Sequence, residues 1–282
     1  MVPSEVQNRY NFRRPSLSLP LSLESWLKNW YPWIVNFLNL STEKDLTAID
    51  EFTKIIHKED NQTLSHLKNL INGRPVIIFG CGPSLEDDLH ILLEKKPLLE
   101  KSVLITADGA TRPLLDNGLL PDIIVTDADG DQQSIVAANK QKSIIVCHLH
   151  GDNHQALLTL VPRLIPSLTI FSVQTEPIGY FHNFLGFTDG DRAAFLAAQF
   201  GCSGICLLGF DLGKYIGKYS KPNLKAPQLA SSFKRRKLII ARELLSWLAT
   251  QTTIPIINSS AQSEAIPLVK AIPLHKLTSF PY

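Results

Sequence analysis

From residue 74 onward, short apolar runs alternate with amphipathic stretches. Apolar runs fall at 75–79, 103–106, 123–125, 144–147, 168–173 and 205–210, with a last short one at 254–257. Short, continuous, β-branched runs of this kind are the pattern of strands buried on both faces. Between them, helical periodicity covers 85–95, 111–117, 132–140, 154–161, 192–200 and 234–250. Strand and helix in alternation predict an α/β fold, a Rossmann-like, doubly wound, mainly parallel sheet with helices on both faces. The preceding residues follow another pattern. Trp26, Trp30 and Trp33 recur at spacings of four and three, which places them on one helical face suited to packing, and Pro32 should break or kink that helix. Leu46, Ile49, Phe52 and Ile56 keep helical spacing, as do Leu64, Leu67, Leu70 and Ile71, and Gly73 ends the region. Ser41 followed by Lys44 makes a poor capping box. Residues 1–20 are polar and proline-bearing and read as a loosely tied arm. The expected organisation is a small helical N-terminal region over 1–73 and a Rossmann-like domain over 74–282.

Composition narrows the class. With 282 residues, 44% of them hydrophobic, the chain can bury a full core. A net charge of +2 is too balanced to point to nucleic acid or a membrane surface. No run of 18 apolar residues predicts a membrane span, and Arg13 and Arg14 precede no apolar stretch of the signal-peptide kind. Cys81, Cys147 and Cys206 sit in or beside apolar runs, the usual place of a small buried thiol. Cys202 and Cys206 are four apart without a second pair, a weak zinc signal. These features predict a cytoplasmic protein in a reducing compartment.

The residues just after each strand carry the chemistry. After the first strand come Gly80-Cys81-Gly82-Pro83-Ser84, after the second Asp108-Gly109, and after the third Asp127, Asp129 and Asp131. After the fourth come His148, His150 and Asp152, and after the sixth Asp211. In a doubly wound sheet these are all C-terminal strand ends, the edge at which ligands bind. If the chain stays extended past residue 125, Asp127, Asp129 and Asp131 share one side, where a hard cation such as Mg²⁺ would relieve their repulsion. The alternative is an Asp-rich turn in which Asp129 or Asp131 caps the helix from Gln132. Gly80 to Ser84 forms a strand-to-helix turn in which two glycines let backbone approach an anion and Ser84 caps the helix, or it is simply a tight turn. Asp189 and Asp191 precede a helix beside Arg192 and serve either a ligand or the cap. Residues 174–190 and 212–232 lack periodicity and read as long loops, the second a basic lid candidate.

Taken in order, GCGPSLE, TADGA, PDIIVTDADGD, HLHGDN, GFTDGDRA and GFDLG resemble the archaeal-type 6-hydroxymethyl-7,8-dihydropterin pyrophosphokinases, a family related in fold to thiamin pyrophosphokinase. The resemblance spans about residues 74–250 and departs from the family's pattern at Ala128 and Leu149. It implies transfer of a diphosphate from ATP to the hydroxymethyl group of the pterin, with Mg²⁺ and release of AMP, in folate- or methanopterin-type cofactor synthesis. On this reading Asp127 and Asp129, with Asp108 or Asp152, hold Mg²⁺, and Gly80, Gly82, Pro83, Ser84, Asp108 and Gly109 meet ATP. His150 or Asp152 accepts the hydroxyl proton, and Arg192 and a basic residue within 214–237 stabilise charge. Asp189 or Asp191, with Asp211 as the next candidate, reads the pterin edge, while Phe187 stacks on the ring or packs in the core. The implied partners are ATP and a pterin alcohol, with a homo-oligomer left open and no nucleic acid or membrane. Two alternatives remain: another acceptor, such as thiamin or a sugar, and a nucleotide-binding module without catalysis.

Overall fold

The apolar runs become the strands of one sheet. The structure, a computed structural model, describes residues 13–54 and 61–280. In chain order the strands are β1 (Pro75–Phe79), β2 (Val103–Ala107), β3 (Ile123–Thr126), β4 (Ile144–Leu149), β5 (Thr169–Val173), β6 (Phe181–His182), β7 (Gly204–Leu208), β8 (Tyr215–Ile216), β9 (Gln228–Leu229), β10 (Ile256–Asn258) and β11 (Lys270–Ala271). The main sheet runs β11-β10-β7-β1-β2-β3-β4-β5-β6, with every adjacent pair parallel. The order reverses between β1 and β7, so a crevice opens there at the C-terminal edge.

Side chains alternate between the two faces, as strand geometry requires. Val76 and Ile78 of β1, with Ile105, Val125 and Val146, face the helices Asp189–Gln199 and Ser232–Gln251. Ile77 and Phe79 face the helix Leu85–Leu93, while Ile124 and Ile145 face Gln132–Lys140 and His154–Leu160. Both faces are covered, which explains why the strands read as unbroken apolar runs.

The N-terminal aromatics join the first of these cores. Trp30 stacks on Trp247 with ring centres 5.1 Å apart and meets Trp33 edge-on at 5.9 Å. Pro32 does not break the helix. A π-helical turn, Trp26–Trp30, leads directly into the helix Tyr31–Leu38, so Pro32 falls in the first turn of the latter, where its missing N–H is tolerated. The arm is also tied down more firmly than expected over its described part. Arg14 donates to Glu243 at 2.7 Å, and the Leu17 and Leu19 carbonyls accept from Gln251 and Trp247. Ser41 caps the helix Thr42–Thr53 by accepting from the Lys44 amide at 3.3 Å, and a second helix, Asn61–Ile71, leads to Gly73. Residues 1–12 of the arm and Ile56 lie outside the described residues.

Neither long loop is featureless. Residues 174–190 contain β6, and residues 212–232 fold over the sheet edge as the antiparallel pair β8 and β9 with a 3-10 turn, Lys218–Ser220. Among the described residues no helix is long and apolar enough to cross a membrane.

Candidate active site

The acidic cluster forms by a different route from the one its spacing predicts. β3 ends at Thr126, and Ala128 takes a left-handed conformation at φ 66°, so the chain is no longer extended where the acids begin. Asp127, Asp129 and Asp131 therefore do not line one side. Asp131 turns away to cap the next helix, accepting from the Gln133 amide at 3.1 Å and the Ser134 hydroxyl at 2.8 Å. Asp127 instead meets Asp108 from the end of β2 and Asp189 from the first turn of the helix Asp189–Gln199. One carboxylate oxygen from each lies within 4.8 Å of the others.

Local bonds fix this meeting. The Thr126 hydroxyl donates to Asp108 Oδ1 at 3.1 Å and accepts from the Ala128 amide at 2.8 Å. Asp108 is itself strained, at φ 36°, a conformation that persists only where the surroundings impose it. Gly130 packs against it so closely that a Cβ there would stand 2.6 Å from an Asp108 oxygen. Asp108 Oδ2 is buried without a hydrogen-bond partner. Burial, then the charges of neighbouring carboxylates, raise the Asp108 and Asp189 carboxyls well above the ordinary range. Burial pushes Asp127 the same way, but the His150 imidazole and the Lys237 ammonium outweigh it and hold Asp127 ionised.

Two clefts open on either side of the cluster. The first lies at the reversal between β1 and β7 and is rich in glycine: Gly80, Gly82, Gly109, Gly190 and Gly209 line it, with Phe210, with Tyr215, Ile216 and Ser220 of the basic loop and with Lys234. The second, about 340 Å³, lies over the ends of β4 and β5 and is walled by side chains, among them His148, His150, Gln174, Phe187 and Phe233. Asp127, Asp129, Asp189 and Lys237 line both.

Several residues singled out in the sequence occupy other positions. Arg192 is fully buried and reaches neither cleft; it donates to the Leu185 and Phe187 carbonyls and to His148 Nε2 at 2.9 Å. Burial pushes its guanidinium down to about 10 and, with Arg192 adjacent, lowers His148 far enough to keep it neutral. His148 Nε2 thus accepts, and Nδ1 carries the proton toward the Ser172 hydroxyl at 3.1 Å. Asp191 is the cap and not a ligand. Its two oxygens take the Phe187 amide at 2.7 Å and the Thr188 amide at 2.8 Å, completing a capping box with the Thr188 hydroxyl. Asp211 Oδ2 is engaged with the first turn, accepting from the Ser84 amide at 3.2 Å and the Ser84 hydroxyl at 3.0 Å, while its Oδ1 is buried without a hydrogen-bond partner. Ser84 therefore makes no side-chain cap; it donates to Asp88 and Asp211. Gly82 is glycine because a Cβ would fall 1.9 Å from Asp211, so the close approach it permits is to Asp211. Pro83 and Ser84 do not line the cleft that Gly80 and Gly82 line. Asp152 lines the second cleft but stays exposed, 3.7 Å from Lys44 and outside the carboxylate trio. Asp129 is ion-paired with Lys221 of the basic loop.

The sequence pattern gave no sign of Asp45. Buried beneath the second cleft, it accepts from the Tyr31 hydroxyl at 2.7 Å, Gln174 Nε2 at 2.6 Å and the Gly151 amide at 2.7 Å. With Asn39, Ser41 and Lys44 it brings the N-terminal helices into the wall. A lone acid in an amphipathic helix carries no local signal of this. Lys237 was visible only as one of four consecutive cations.

Residues 48–217 match the family described as 6-hydroxymethylpterin diphosphokinase MptE-like. The chain belongs to this family. It is 41% identical over 237 residues to the 6-hydroxymethyl-7,8-dihydropterin pyrophosphokinase of Pyrococcus furiosus, covering 84% of this chain and 98% of that one. The proteins of the same name from Methanocaldococcus jannaschii and Methanothermobacter thermautotrophicus are 36% and 37% identical, over 82% and 81% of this chain and 99% and 95% of theirs. A solved structure, the MAf glycosyltransferase from Magnetospirillum magneticum AMB-1, superposes with a TM-score of 0.48 at 17% identity, over 76% of this chain and 38% of that one.

Proposed function

We propose that the protein transfers diphosphate from ATP to the hydroxymethyl group of 6-hydroxymethyl-7,8-dihydropterin, releasing AMP. The observation that carries this reading is a carboxylate trio of which Asp127 and Asp189 line both of two adjoining clefts, in a chain whose relatives bear that activity's name. ATP belongs in the first cleft. It lies at the reversal of strand order, the crevice in which a doubly wound sheet takes its ligand. The pterin alcohol belongs in the second, where Phe187 and Phe233 offer ring faces and Gln174 and His150 offer polar groups to a flat heterocycle.

A hard divalent cation fits the trio. Asp108 Oδ2 is buried and unpartnered, and the Asp108 and Asp189 carboxyls are raised by burial and then by mutual repulsion, both of which a bound cation offsets. Asp108, Asp127 and Asp189 would hold it, and when bound it would neutralise phosphate charge at the reacting centre. The remaining catalysis is positioning, as expected for phosphoryl transfer through a loose transition state. His150 Nδ1 accepts the Asp152 amide at 3.3 Å, so its proton sits on Nε2, 3.7 Å from Asp127 Oδ2. In that tautomer His150 orients Asp127 rather than abstracting the acceptor's proton.

The test is incubation with ATP, Mg²⁺ and a panel of pterin alcohol, thiamin and sugars, scoring AMP. AMP release that requires the pterin alcohol is the expected result. Release with thiamin or a sugar alone would overturn the reading.

A further inference from the structure

Four consecutive cations, Lys234 to Lys237, open the helix Ser232–Gln251, and the structure separates them. Lys234 lines the first cleft alone, Arg235 is exposed, and Arg236 turns back to donate to the Phe37 carbonyl at 3.1 Å. Lys237 is half-buried and lines both clefts. No other cation among the described residues does so. Its ammonium lies 5.5 Å from the centre of the Phe187 ring, and no carboxylate among the described residues pairs with it within 4 Å. Lys221, by contrast, is already committed to Asp129.

The perch is rigid. The Phe187 amide donates to Asp191, and the Phe187 carbonyl accepts from Arg192, both fully buried. Asp191 and Arg192 thus fix the main chain of the residue whose ring lies by the lysine. A cation so placed is near enough to help keep Asp127 ionised, yet retains its hydrogen-bond donors for something that enters the junction.

We infer that Lys237 is a catalytic residue that contacts the diphosphoryl group as it passes between the clefts. This rests on the proposed diphosphate transfer. In the step, the acceptor hydroxyl oxygen bonds to the β-phosphorus and the bond from that phosphorus to the AMP oxygen breaks. The electron pair leaves with AMP, and the hydroxyl proton passes to solvent. In the loose transition state negative charge grows on the AMP oxygen as its bond to the β-phosphorus breaks; with that bond held between the clefts, beside Lys237, the lysine contributes more in the transition state than to either bound substrate.

The experiment measures kcat and both KM values for Lys237→Met and Lys237→Arg, alongside Mg²⁺–ATP affinity and melting temperature. Lys237→Met should lose about 100-fold or more in kcat, with each KM changed less than about threefold. Lys237→Arg keeps the charge and should recover about tenfold of that loss. A kcat for Lys237→Met within about threefold of wild type, or a loss confined to one KM, would overturn the inference. If Lys237→Met melts early, Lys237→Arg and Lys237→Gln replace it, and equal kcat for those two overturns it as well. Wild-type protein that uses another alcohol in place of the pterin would defeat the functional reading alone. Lys237 is then judged by the same comparison with that alcohol.

Discussion

The two clefts meet at the same carboxylates but are built in opposite ways. The first is walled by chain turns after β1, β2 and β7, where glycines allow backbone to approach backbone and Asp211 clamps Ser84. The second is walled by side chains that come from β4, the loop before the helix Asp189–Gln199, and helices near the N-terminus. The first presents a shape set by the sheet edge itself. The second presents a composition that substitution can change without disturbing the sheet. A common group recognised through phosphates suits the former, and a distinctive flat acceptor suits the latter.

Replacing the shared element should damage both sides. Asp127→Asn keeps the shape and removes the charge that His150 and Lys237 hold in place, so transfer should fall by about 10²–10³-fold or more while the protein stays folded. Steady-state assays with unfolding curves check this. Near-normal turnover would mean that the clefts do not work through a common centre.

The next effect should be confined to the second cleft. Asp45→Ala leaves Tyr31, Gln174 and the Gly151 amide without their acceptor. We expect a loss of about 3 kcal/mol in stability and selectively weaker pterin binding, with Mg²⁺–ATP affinity preserved. Calorimetry with each substrate separates the two affinities. Equal weakening of both would erase the distinction between the clefts.

These contrasts also explain what could be read from the sequence. The sheet was legible because buried parallel strands leave unbroken apolar runs, and the strand-end motifs were legible because each lies within a few residues. Asp108 and Asp127 surfaced in this way. Asp189 surfaced only as a ligand or cap candidate and not as their neighbour, because a left-handed Ala128 redirects the chain and only the folded sheet brings residue 189 to residue 127. Asp191 and Arg192 looked functional by composition, yet both are spent on holding Phe187. Asp45 contacts Gly151 across 106 positions with no pattern to announce it.

A smaller test separates the neighbours Asp189 and Asp191. Asp191→Ala should cost about 1–2 kcal/mol, since it removes a capping box, whereas Asp189→Asn should stabilise the metal-free protein by relieving repulsion while weakening divalent-cation binding. Opposite shifts in melting temperature are the expected result.

The smallest effect is in the pH dependence. Asp108, Asp189 and Asp88 all hold protons more tightly in the folded than in the unfolded chain, so their contribution to stability is greatest at low pH and falls as each titrates. For Asp88, pushed up to about 6 by burial, the loss falls between its ordinary 3.8 and about 6. Mg²⁺ should cancel the part due to Asp108 and Asp189 and leave the Asp88 part, which unfolding measured across pH with and without Mg²⁺ resolves.

The most direct test of the shared centre is a ternary structure with Mg²⁺, a non-hydrolysable ATP analogue and the pterin alcohol. The account predicts nucleotide against Gly80 and Gly82, pterin between Phe187 and His150, and a cation on Asp108, Asp127 and Asp189. Both ligands in one cleft, or a cation held by Asp152 instead of Asp189, would contradict it.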